Sequence, residues 1–189
     1  MPPVPAVLET DAALRRRAQM SLEGLTNAGT IGSYTYHALS ADGRVRDAGV
    51  TSPAPGRVLV TILAHDGDGT PTADLLSAVA AVMEDVRPLC DDVAVAAPAF
   101  ADFAVTAHLL VPGSPGAEVA RGAALAAVTA YLDEARAVGR VVRRSALIAR
   151  LHQAGVEAVT LTAPAGDVDP GRTGVARATG IAITASAAP

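Results

Sequence analysis

The sequence predicts an α+β protein of two small mixed subdomains with mainly antiparallel strands. Three observations predict it. Helical and strand periodicities follow in the order ααββαβ and then βααββ, without the strict alternation that a parallel α/β sheet demands. The connection between the first two strands is far too short for a crossover, so that pair is expected antiparallel. Pro98 breaks the chain near its middle, and a strand, a turn and a Ser-Pro or Thr-Pro helix start recur on both sides of it. The expected division is a Pro-rich extended lead-in over residues 1–9, a first subdomain over 10–98 and a second over 99–189.

The elements follow in order. Thr10 or Asp11 caps a first helix with Leu14, Ala18 and Leu22 on one face, and Gly24 ends it. Thr30 caps a second helix in which Ile31, Tyr34, Ala38 and Ala41 share a face and Gly43 is the stop. Val45 to Val50 is a short strand, stopped by Ser52-Pro53-Ala54-Pro55-Gly56, because each proline fixes φ and lacks an N–H. Val58, Val60 and Ile62 alternate with Leu59, Thr61 and Leu63, the pattern of a strand buried on both faces. Thr70 and Pro71 read as an N-cap with proline at the first helical position. The helix they start buries Leu75, Val79, Val82 and Met83 and closes at Arg87-Pro88.

A short strand over residues 92–97 precedes Pro98. Phe103, Val105, Ala107, Leu109 and Val111 alternate in a longer strand. Ser114 and Pro115 then start a long helix with Leu125, Val128 and Leu132 inward, running to about Val138. Ser145 caps a shorter helix carrying Leu147, Ile148 and Leu151. Val156 to Thr162 is a strand, 164–179 a Gly/Asp/Pro-rich loop, and Ile181 to Ala185 the last strand.

Half of the 189 residues are hydrophobic, yet only 3% are aromatic, so the core is built from small side chains. Such a core gains little area per residue, which makes subunit contacts an expected source of stability. A net charge of −4 argues against a general nucleic-acid binder. The Arg15-Arg16-Arg17 run and the Arg140, Arg143, Arg144 cluster read as solvated helix ends and faces. Cys90, the single cysteine, excludes an intramolecular disulfide. The first eleven residues lack the basic and apolar regions of a secretory signal, and no apolar run reaches membrane-spanning length, so a soluble protein is expected.

No pattern of catalytic residues emerges. Gly67-Asp68-Gly69 follows a strand and opens a helix, as a dinucleotide fingerprint would. Thr72 stands at the third glycine position, Pro71 removes a donor, and no parallel βαβ unit is expected, so the reading is a tight turn. Asp66-Gly67-Asp68 and Asp167-Val168-Asp169 lack the glycine and glutamate that complete a calcium loop. His37, His65, His108 and His152 have no partners at metal-ligand spacing. Cys90 beside Asp91 and Asp92 is a poor nucleophile, since adjacent negative charge raises a thiol's pKa.

Several stretches in collinear order carry a family resemblance. They are Glu9 to Arg17 (ETDAALRRR); Tyr34 to Asp47 (YTYHALSADGRVRD) with Val50 to Gly56 (VTSPAPG) and Gly67 to Pro71 (GDGTP); and Val86-Arg87-Pro88-Leu89, Gly139-Arg140, Arg144 to Ile148 (RSALI) and Leu151 to Val156 (LHQAGV). Together they resemble the baseplate J-like proteins of contractile-tailed phages. The resemblance implies a structural wedge component of the tail baseplate, with no catalytic residue and no cofactor to carry over. It implies pairing as a homodimer and joining to a second wedge protein in a ring around the central hub. It also implies contacts with hub and sheath-proximal baseplate proteins, a place in the virion tail, and assembly in the host cytoplasm. Nucleic acid, membrane and metal are not expected partners. Family members carry a helical N-terminal part, and this chain is expected to start after it. The alternative, from another class, is a small-molecule-binding regulatory α+β domain with ligands held between subunits. The residues expected at interfaces are Tyr36 and His37, with Leu147 and Ile183 in a homodimer contact built on the last strand or the Ser145–Ala154 helix.

Overall fold

A computed structural model describes residues 9–26, 28–113 and 116–187. The lead-in before Glu9 and the Ser114-Pro115 helix start lie outside them. The chain divides into two compact units, 1–98 and 99–189. Each contains a three-stranded sheet.

In the first unit, helix α1 (Asp11–Gln19) starts where its cap requires, with Thr10 Oγ1 accepting the Ala13 N–H at 3.2 Å. Its expected apolar face is not buried: Leu14 is 48% exposed and Leu22 77%. The α-helix stops at Gln19 and a 3-10 turn covers Ser21–Leu25, so Leu22 leaves the face that helical spacing assigns it. Gly24 serves packing rather than capping, since a Cβ there would stand 2.3 Å from Tyr36 Cε1.

Helix α2 (Ile31–Ala41) is capped by Thr30, whose Oγ1 accepts the Ser33 N–H at 3.1 Å, and it buries Ser33, Tyr34 and Ala38. Strand β1 (Val45–Ala54) pairs antiparallel with β2 (Arg57–Ala64), Val50 opposite Val60. It runs through Ser52, Pro53 and Ala54 rather than stopping before them. β1 is an edge strand with a register shift between Thr51 and Ala54, which is where a strand tolerates proline. Gly56, at φ 71°, makes the turn. Val60 to Ala64 are all buried, as a two-sided strand should be.

Helix α3 (Ala73–Val86) begins two residues later than expected, with Thr72 at the N-cap. Asp68 Oδ1 accepts the Thr70 N–H at 3.0 Å and so keeps Thr70 within the turn. Leu75, Val79 and Met83 are buried, while Val82 is partly so. Strand β3 (Asp92–Ala96) then pairs parallel with β2, Val60 opposite Val95. A parallel βαβ unit is therefore present where none was expected. The Gly67-Asp68-Gly69 turn remains a poor phosphate site all the same. It carries Asp66 and Asp68, Asp74 sits in the first turn of α3, and the Gly69 carbonyl accepts the Ala64 N–H.

In the second unit, β4 (Ala99–Val111) is central, flanked by β5 (Ala158–Ala163) and β6 (Gly174–Ala187). β5 is antiparallel to β4 and β6 parallel to it. Both sheets are thus evenly mixed, one parallel and one antiparallel pair each, rather than mainly antiparallel. Helix α4 (Ala117–Ala135) offers Ala120, Ala124 and Val128 to the core at four-residue spacing, and α5 (Arg144–Leu151) offers Leu147 and Leu151. They meet Val105, Ala107, Leu109 and Val111 of β4, the alternate residues of that strand.

Strand β6 starts at Gly174, seven residues before Ile181. Gly174 and Val175 are buried against Ala99 and Phe100 of β4, so part of the Gly-rich loop is strand. Helix α5 starts at Arg144, leaving Ser145 inside it. Its cap comes from the loop: the Arg144 N–H donates to Asp167 Oδ1 at 2.8 Å, and Arg143 Nη1 to Asp167 Oδ2 at 2.7 Å. The Arg144 guanidinium donates to the Leu161 and Pro164 carbonyls, which ties α5 to β5 and is not a solvated face.

The Arg143 hydrogen bond, then the Arg144 N–H, lower the Asp167 pKa from the ordinary carboxylate value. Its contribution to stability is therefore complete above the unfolded-state pKa, and it is lost as pH falls through the lowered folded-state value. Asp167→Ala should lower the melting temperature at neutral pH, and the gap to the parent should close below about pH 4. Melts across that range check it; a gap that persists at low pH would show that the carboxylate's charge is not the cause.

Candidate functional site

The candidate site is a set of surfaces. Among the described residues no group of three or more His, Cys, Asp or Glu could hold a metal ion. A surface hollow is lined by Glu84, Arg87, Cys90, Asp91 and Asp92. Its one guanidinium is committed: Arg87 donates to both Glu84 carboxylate oxygens and to the Asp91 carbonyl. Glu84, paired this way, has its pKa held below the ordinary range. That hollow offers little to an anionic ligand.

Tyr36 and His37 lie together on α2, ring centroids 5.4 Å apart and edge to face at 76°. Burial lowers the His37 pKa. Tyr36 packs against Gly24 of the preceding turn, and both rings are half-buried. One turn away, Tyr34 is 2% exposed and its hydroxyl donates to Asp91 Oδ2 at 2.7 Å. Desolvation, then this bond, raises its pKa, so it stays a neutral donor that locks α2 to the α3–β3 connection.

Leu147 and Ile183 come together inside the second unit. Leu147 is 0% exposed and Ile183 8%, both within the core beneath the sheet. Neither side chain presents a surface. Their elements still frame one. β6 pairs with β4 along one side only, which leaves a long strand edge, and residues 178–187 of it carry no charge and no proline. Edges of that kind accept another strand.

The strand next to the core alternates Ile183 with exposed Ala182 and Thr184. On that side of the sheet His108 stands opposite Thr160 on β5 and Thr184 on β6. Its Nδ1 lies 3.0 Å from Thr184 Oγ1 and its Nε2 3.0 Å from Ser186 Oγ. Reading the histidines singly missed this row. Its signal is the period-two recurrence of hydroxyl residues at Thr106, Thr160, Thr162, Thr184 and Ser186.

These two units coincide with known domains. Residues 26–97 match the Baseplate J-like central domain, and residues 103–184 match the Baseplate J-like protein C-terminal domain. The chain belongs to the baseplate J-like family. It is 42% identical over 170 residues to Baseplate protein J of Escherichia phage P2, which covers 89% of this chain and 56% of that protein. The chain thus spans little more than half the length of that relative. No helix among the described residues is long and apolar enough to cross a membrane.

Proposed function

We propose that this chain is a structural component of a phage tail baseplate, acting by assembly as a wedge subunit. The observation that carries the reading is the collinear match of both units to the two baseplate J-like domains, with 42% identity along most of the chain to a Baseplate protein J. In this reading the first unit, 10–98, and the second, 99–189, are the two domains of a wedge subunit. The protein pairs with itself, joins a second wedge protein in a ring around the hub, and meets the hub and sheath-proximal proteins. Assembly takes place in the host cytoplasm.

Contacts are made by surfaces that the fold leaves uncovered. On the first unit these centre on Tyr36 and His37. On the second they are the β6 edge and its hydroxyl-bearing face, with Leu147 and Ile183 holding that platform from beneath. Mass spectrometry of purified particles tests the placement: the chain should co-purify with tails at a fixed ratio to other baseplate proteins. A chain found only in the soluble lysate would overturn the reading.

Self-pairing through β6 is tested separately. Light scattering should show a dimer at tens of micromolar. Ala182→Lys, an exposed edge-strand charge of the kind that natural sheets use against pairing, should shift the chain toward monomer by about tenfold without lowering its melt. A parent chain that is monomeric, or a variant that pairs as well as the parent, would count against this contact.

A further inference from the structure

We propose that α1 is a salt-sensitive arm, latched onto its unit through the Arg16 side chain and able to lift away while the rest of the unit stays folded. The inference rests on geometry alone and stands apart from the functional reading.

Nothing in α1 is buried, and its one large apolar residue, Leu14, is 48% exposed. An ion pair reaches beyond the helix to the sheet. Arg16 Nη2 donates to Asp47 Oδ1 on β1 at 2.7 Å; the Asp47 side chain is 8% exposed and that of Arg16 49%. Arg17 pairs with Glu9, the residue just before the N-cap of the same helix. The arginine run is therefore not simply solvated: Arg15 pairs within the helix, with Asp11, Arg17 pairs with Glu9 at the helix start, and Arg16 reaches across to β1.

The chain just after α1 is seated differently. Gly24 lies so close to the Tyr36 ring that no side chain fits, Gly32 is equally close to the Glu23 carboxylate, and Ser33 Oγ donates to the Thr26 carbonyl at 3.1 Å. Residues 21–26 are thus pinned and 11–19 are not, which puts the hinge at Met20. A nine-residue helix with no buried face has little to hold it once its charges are screened. Segments with few buried apolar contacts open at lower free energy than the core. Lifting α1 would uncover Asp47.

Hydrogen exchange on the full chain tests this. Raising NaCl from about 0.05 to about 1 M, or introducing Arg16→Gln, should speed exchange across Asp11–Gln19 by roughly three- to tenfold, with β2 amides unchanged. Arg15→Gln, which removes a pair internal to the helix, should leave α1 close to the parent. Trypsin cleavage within the arginine run should rise in parallel. Exchange in α1 that ignores salt and Arg16, that responds equally to Arg15→Gln, or that accelerates only together with β2 would overturn the proposal. Should Arg16→Gln destabilise the whole unit, the salt series on the parent chain decides the matter.

Discussion

Leu147→Ala is expected to cost about 2–5 kcal/mol, the range for truncating a fully buried leucine. Leu147 has no exposed surface and packs with Leu151, Val128 and Leu109, so the second unit has one contiguous core and loses a central piece of it. That core is otherwise made mainly of alanine and valine, whose short side chains cannot move in to fill the space. On a unit of about ninety residues such a loss lowers the melting temperature by roughly 4–8 °C per kcal/mol. Calorimetry checks it directly. A change under about 1 kcal/mol would mean that Leu147 is not a core residue and that the packing described for α5 is wrong.

The second large effect is expected at Gly174. A Cβ there would stand 2.0 Å from the Pro170 carbonyl oxygen and 2.9 Å from its carbon, which are backbone atoms that no rotamer change can move. Gly174 also accepts the Gly139 N–H through its carbonyl and opens β6 opposite Ala99. Gly174→Ala must therefore displace either the loop before β6 or the strand itself. The cost is about 1–3 kcal/mol or more, as for other overpacking changes. Gly180→Ala, with nothing within 4 Å of the added carbon, is the matched control and should be near neutral. Equal melts for the two variants would contradict the loop geometry.

Local rules made most of the elements legible. Thr10 and Thr30 cap the helices they were expected to cap, because a cap needs only three neighbouring residues. The two-sided burial of β2 and the inward set of β4 followed from alternation alone. Misses fell where a distant segment decides. α5 takes its cap from Asp167, 23 residues on, so a nearby serine looked like the better candidate. β6 begins at Gly174 because β4 is long enough to pair with it, which no feature of a Gly-rich run announces. The parallel partner of β2 likewise comes from beyond α3.

Of the candidate surface residues, the sequence distinguished aromatic from aliphatic positions but not inward from outward ones. Tyr36 and His37 are half-buried beside the pinned turn, whereas Leu147 and Ile183 point into a core. Periodicity tells that a face is apolar; it does not tell whether a sheet of the same subunit or another molecule covers it. The β6 edge, by contrast, follows from topology, which the sequence did not specify.

The central claim is that this chain builds a baseplate. Electron cryomicroscopy of intact tails from the parent phage or particle tests it most directly. The account predicts density for both units, repeated around the hub at the distal end of the tail, with β6 or the α2 surface against a neighbouring chain. A complete baseplate map in which no density fits either unit would contradict it.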